Sequence, residues 1–173
     1  IAVSRLRSAT GMAGCYYPYT MEANYNADMP DLNIPHTICH ELAHLSGFIH
    51  EDEANFIGYA ACMRSDSPEL RYSATVEMMI YVINELYSSC SYENYSELIG
   101  SLKPAIIADI NSQAEYWREA GEMFGGKLDE AVQSANDAYI KLNGDKEGDV
   151  RYSMVVELLL DYYSKNIDGI LSE

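Results

Sequence analysis

The sequence predicts a mainly helical α+β domain with a small β element at its N-terminal end. Three observations lead there. The chain has 173 residues, 48% of them hydrophobic, which suits one domain with a substantial core. From Pro35 onward, apolar residues recur at the three- and four-residue spacing of amphipathic helices. Residues 1–34 lack that period, and Gly11, Gly14, Pro18 and Pro30 punctuate a tyrosine-rich stretch instead. The expected organisation is a single domain over 1–173, extended and β-rich over 1–34 and helical over 35–173.

Each element has its own signal. Cys15–Asn26 reads as one or two short strands or an extended hairpin. Pro35 suits the first turn of a helix, where its missing N–H costs nothing, and Gly47 is a natural stop. A helix therefore runs from Pro35 to about Ser46, and a second covers Glu51–Met63. Ser67-Pro68-Glu69 opens a third, about Pro68–Ser88, with Val76, Met79, Ile80, Ile83 and Leu86 on its apolar stripe. Further helices are expected at Tyr92–Leu102, Pro104–Met123, Leu128–Leu142 and Val150–Asn166, with turns at Gly125-Gly126 and Asn143-Gly144.

Charge narrows the partners. Asp and Glu number 27 against 11 Lys and Arg, a net charge of −16. Such a surface repels polyanions, which argues against nucleic acid and anionic membrane faces and leaves cationic partners and metal ions. The longest apolar runs, Met78–Ile83 and Met154–Leu160, fall short of the ~18 residues that suggest a spanning helix. The chain starts at Ile1 without Met, so a processed or cut product is expected, with any anchor upstream. Cys15, Cys39, Cys62 and Cys90 form no CxxC pair. A Cys39–Cys62 bridge is conceivable, but buried free thiols are the expectation.

The chemistry sits in His40-Glu41-Leu42-Ala43-His44, an HExxH motif. Residues i and i+4 share a helix face, roughly 6 Å apart, so both imidazoles can reach one Zn²⁺ at about 2.0–2.1 Å. Glu41 is turned by about 100° from His40 and can hold the attacking water without ligating the metal. A catalytic zinc usually takes three protein ligands. His50 completes HExxHxxGxxH, which resembles the metzincin signature. Glu51 with Asn55 forms ExxxN, similar to the ExxxD element of gluzincins, in which Asn55 would orient a ligand histidine through its amide oxygen. Glu53 is a third candidate.

The block His36–Cys62, together with Ser4–Asn26, Arg71–Thr75 and Ala138–Leu160, resembles the family called domain of unknown function 3810. The resemblance implies a zincin-like metallopeptidase domain, from bacterial proteins that carry membrane-spanning helices before it. It also implies Glu51 as third ligand, with His50 as the alternative, because the acidic run Glu51–Asn55 is the shared part. The implied setting is a membrane-anchored protein whose domain is extracytoplasmic, acting on a peptide or protein substrate.

The expected reaction is peptide hydrolysis, with Zn²⁺ on His40, His44 and Glu51, and Glu41 as general base. Arg71 and Tyr72 are candidates for stabilising the oxyanion, with Arg151 and Tyr152 as alternates. Tyr17–Asn26 is a candidate edge strand for an extended substrate, from which Glu22 could reach the cleft. His36 could line the cleft, but a place at the surface or in the first turn of its helix is the expectation. Two other classes stay open. One is a non-catalytic metal-binding sensor or regulatory domain of a membrane-anchored protein. The other is a structural helical domain without metal.

Overall fold

A computed structural model describes residues 2–123 and 151–170. The helix expected at Leu128–Leu142 lies outside them. In chain order the elements are α1 (Ala2–Ser8), β1 (Gly14–Tyr17), β2 (Glu22–Tyr25), α2 (Ile34–Leu45), α3 (Glu51–Met63), α4 (Pro68–Ser89), α5 (Tyr92–Ser101), α6 (Pro104–Glu122) and a last helix, α7 (Arg151–Ile170). The described residues are mainly helical, with one small antiparallel sheet, β1–β2, in the register Gly14↔Tyr25 to Tyr17↔Glu22.

Helix starts follow the punctuation of the chain. Pro35, Pro68 and Pro104 occupy first turns. Ser67 and Ser91 cap α4 and α5 by accepting from the backbone N–H groups of Leu70 and Asn94. The N-cap of α2, Asn33, makes no such bond. Its amide instead donates to Glu77 of α4. An otherwise orphaned N–H of that first turn, that of His36, is satisfied from another helix: it donates to Ser73 Oγ at 3.1 Å, and that hydroxyl donates to the Leu32 carbonyl. The start of α2 is therefore set by α4.

Helix α1 was not expected, because seven residues are too few to display a helical period. A buried polar knot holds it. Ser8 Oγ accepts from Asn26 Nδ2 at 2.9 Å and from the Tyr116 hydroxyl at 2.7 Å, and donates to Asp28 at 3.0 Å. These bonds tie α1, the segment after β2 and α6 together, and Ser8 and Asn26 are fully buried.

The apolar core lies where α3, α4 and α7 meet, around Tyr59, Cys62, Ala74, Met78, Val155 and Leu159. Helix α2 packs against α3 and α4, and the hairpin packs on α2. Backbones of α2 and α3 approach closely at Gly58, where a β-carbon would sit 3.0 Å from the His40 nitrogen. Cys39 and Cys62 face each other across the same contact as free thiols. Among the described residues no helix is long and apolar enough to cross a membrane.

His36 fastens the α2–α3 contact. It is buried rather than at the surface, and its Nε2–H donates to the Asn55 carbonyl at 3.3 Å. Burial pushes this imidazole down from its ordinary 6.5 to about 4, against the opposing effect of that bond. Between these values the unfolded chain carries the proton and the folded chain does not. Stability from His36 is therefore complete above pH 6.5 and is lost as the pH falls toward 4. We expect this residue to account for on the order of 3 kcal/mol of acid destabilisation in metal-free protein. Urea unfolding at a series of pH values, comparing the parent with His36→Phe, checks this: the variant should lose most of the slope in that window, and an unchanged slope would assign it elsewhere.

Candidate metal centre

His40 and His44 lie one turn apart on α2, as the motif requires, with their Nε2 atoms 3.0 Å from each other. The helix ends at Leu45, and Gly47 turns the chain with φ at +103°, a value that a residue with a β-carbon rarely adopts. The Phe48 N–H then bonds back to the Ala43 carbonyl, which fixes the angle of departure. Helix α3 begins at Glu51, so its carboxylate returns over the histidines. Glu51 Oε2 is 3.2 Å from His40 Nε2 and Oε1 is 3.6 Å from His44 Nε2.

These separations suit a metal. Tetrahedral zinc with ligand bonds of about 2.0–2.1 Å separates its donors by about 3.3 Å. Two imidazoles and a carboxylate also form a zinc-type donor set. Among the described residues, His40, His44 and Glu51 make up such a group, their ligand atoms within 4.8 Å of one another. A hydrogen bond orients one imidazole: His44 Nδ1–H donates to the Phe48 carbonyl at 2.7 Å, which leaves the lone pair on Nε2 facing the shared point. His40 Nδ1 is buried without a partner. Burial opposes ionisation of Glu51, but the imidazoles of His40 and His44 outweigh it and hold the carboxyl well below the usual range. In return, the hydrogen bond to Glu51 raises His44. The point where the three donors meet therefore favours positive charge.

Beside it stands Glu41, 5% exposed, with Oε2 unpartnered. Burial pushes its carboxyl up, against the pull of His40, His44 and Arg7. Its space comes from a glycine. A β-carbon on Gly14 would lie 2.7 Å from the Glu41 carboxyl carbon, so β1 passes over the acid only because position 14 has no side chain. A cleft of about 760 Å³ opens over the group, lined by α2, by Glu51 and Asn55 of α3, by Glu77 and Tyr81 of α4, and by Gly14, Cys15 and Tyr16 of β1.

Several expected positions fall elsewhere. Arg71 and Tyr72 are exposed and do not line the cleft; Tyr72 donates instead to Asp109. The stripe of α4 that faces α2 is Ser73, Glu77 and Tyr81, at four-residue steps, and Tyr72 is about half a turn from Tyr81. Asn55 lines the cleft but does not hold a ligand histidine: its amide donates to the Tyr81 hydroxyl at 3.1 Å. His50 is an exposed N-cap in extended conformation, and Glu53 is exposed about 200° around α3 from Glu51. Neither joins the cluster. The strand on the cleft is β1, not Tyr17–Asn26, and Glu22 is exposed and bonds Thr20. Arg151 and Tyr152 open α7, but their side chains lie outside the described residues. Gly14, Glu77 and Tyr81 were not anticipated. Glu77, a lone acid in an apolar stretch of α4, carried the one readable signal.

A family model described as "Protein of unknown function (DUF3810)" matches residues 1–160. The chain belongs to that family. Among the curated proteins and among the solved structures, nothing matches it. The DUF3810 match contains every residue of the cluster and the hairpin above it.

The cradle is testable without any activity. Gly14→Ala should lower stability by about 1–3 kcal/mol in denaturant unfolding, because either β1 or the Glu41 carboxylate must move. Restoration by the double variant Gly14→Ala/Glu41→Ala is expected. Equal losses in both backgrounds would show that the two groups do not meet.

Proposed function

We propose that this domain is a zinc-dependent peptidase of zincin type, with His40, His44 and Glu51 as metal ligands and Glu41 as general base. The observation that carries this reading is the tripod itself, with three donors at 3.0, 3.2 and 3.6 Å and a buried carboxylate beside them. The chemistry a zinc ion supplies when bound is Lewis acidity toward a carbonyl oxygen and toward water, whose pKa falls to ~7.

The protein's own groups account for the remaining steps. The upward-shifted Glu41 is suited to take a proton from water attacking the carbonyl and to return it to the leaving amine. Among the described residues strand β1 pairs with β2 on one side only, so its other edge can pair with an extended peptide laid along the cleft. Tyr81, whose hydroxyl accepts from Asn55 on the cleft wall, takes over the oxyanion role assigned from sequence to Arg71 and Tyr72. The proposal keeps the membrane-anchored, extracytoplasmic setting that the family resemblance implies.

Zinc titration of metal-free protein by calorimetry should give one site, weakened at least about tenfold by His40→Ala, His44→Ala or Glu51→Ala. Glu41→Gln should retain zinc and lose cleavage of a peptide library by about 10²–10⁴-fold. Absence of zinc binding would remove the reading. Tight zinc binding without cleavage by the parent would favour the sensor alternative.

A further inference from the structure

Behind the metal cleft lies a second cavity of about 400 Å³, and the two share Gly11, Ala13, Thr37 and Glu77. Its polar wall is unusual in composition. Glu77 sits in the middle of α4 with no Lys or Arg paired to it among the described residues. Among the described residues its hydrogen-bond donors are neutral amides: Asn33 Nδ2 at 3.4 Å and Gln113 Nε2 at 3.0 Å, both on Oε2. Only an amide nitrogen can donate to a carboxylate, so these bonds fix which way each amide faces. The oxygens left over, Asn33 Oδ1 and Gln113 Oε1, are buried without a partner, on side chains each 6% exposed.

The wall thus holds one carboxylate without a paired cation among the described residues, flanked by two amides whose oxygens lack a partner. A buried unpaired acceptor is costly, and two residues of this wall carry one each. The chemistry that satisfies them together is a cation with several N–H donors, an ammonium or a guanidinium. Trp117 lines the same cavity, and an indole ring is a good partner for such a cation. Gly11, Ala13 and Gly121 keep the remaining wall small. The net charge of −16 would draw cationic substrates toward the domain.

We propose that this cavity is a specificity subsite for the cationic side chain of a Lys or Arg residue next to the scissile bond, with Glu77, Asn33 and Gln113 as its recognition groups. The assignment rests on the peptidase reading for its role, but its ligand chemistry can be tested apart from cleavage.

The chain has a single tryptophan, Trp117, which makes its fluorescence a direct report of occupancy. The full chain is titrated with N-acetyl-arginine amide, N-acetyl-lysine amide, N-acetyl-norleucine amide and norleucine amide. Saturable fluorescence changes are expected with the first two and not with the last two. Glu77→Gln and Gln113→Leu should each weaken the response about tenfold or more, with folding of each variant checked by thermal melting. Zinc stoichiometry is measured alongside. A response to norleucine amide but not to N-acetyl-lysine amide would mean that an amino terminus is recognised, and would overturn the side-chain assignment. A response to all four, or to none, would overturn the subsite, whatever zinc binding and cleavage show. Should Glu77→Gln fail to fold, the ligand series on the parent and Gln113→Leu still decide the matter. In the cleavage assay, a Lys or Arg peptide should exceed its norleucine counterpart about tenfold or more in kcat/KM. Equal rates with cleavage intact would refute the subsite and leave the peptidase reading standing.

Discussion

The convergence of one carboxylate on two imidazoles organises this domain. Glu51 cannot reach His40 and His44 unless α3 folds back directly over the end of α2. That reversal takes five residues, Ser46–His50, a left-handed glycine among them, and a close helix–helix approach at Gly58. The hydrogen bond from His36 to the Asn55 carbonyl fastens the same pair of helices one turn further back. The geometry of the cluster is therefore a property of the α2–α3 interface rather than of the motif alone.

That interface is framed from two other sides. Helix α4 reaches the first turn of α2 through Ser73 and the cleft through Glu77 and Tyr81, so one stripe of one helix both starts α2 and walls the site. The hairpin closes the opposite side, where Gly14 makes room for Glu41. A buried acid between a helix and a strand is expensive to ionise, and that cost is what raises its pKa. Packing and chemistry are here the same fact seen from two directions.

The helices with strong punctuation were legible. Proline in the first turn and serine caps put the starts of α2, α4, α5 and α6 within a residue of where they stand. The hairpin was legible as irregular, tyrosine-rich sequence, but α1 was not. It is short, and bonds from Ser8 to Asn26, Asp28 and Tyr116 hold it, partners up to 108 residues away. The assignment of Arg71 and Tyr72 to the cleft failed for a related reason. A helix opening after α2 and α3 says nothing about which of its faces turns inward, and the polar stripe Ser73, Glu77 and Tyr81 is the one that does.

Spacing along one helix settles local relations, because a rigid repeat of 3.6 residues leaves little freedom. HExxH thus prescribed two imidazoles on one face and an acid turned aside from them. Which residue stands third, whether β1 or β2 covers the site, and what lines the wall depend on contacts between segments far apart in the chain. Those contacts depend on turn angles and side-chain packing that no local repeat encodes. Glu51 rather than His50, Gly14 over Glu41, and an acid at position 77 facing Asn33 and Gln113 were all decided at that level, by how the helices close on one another.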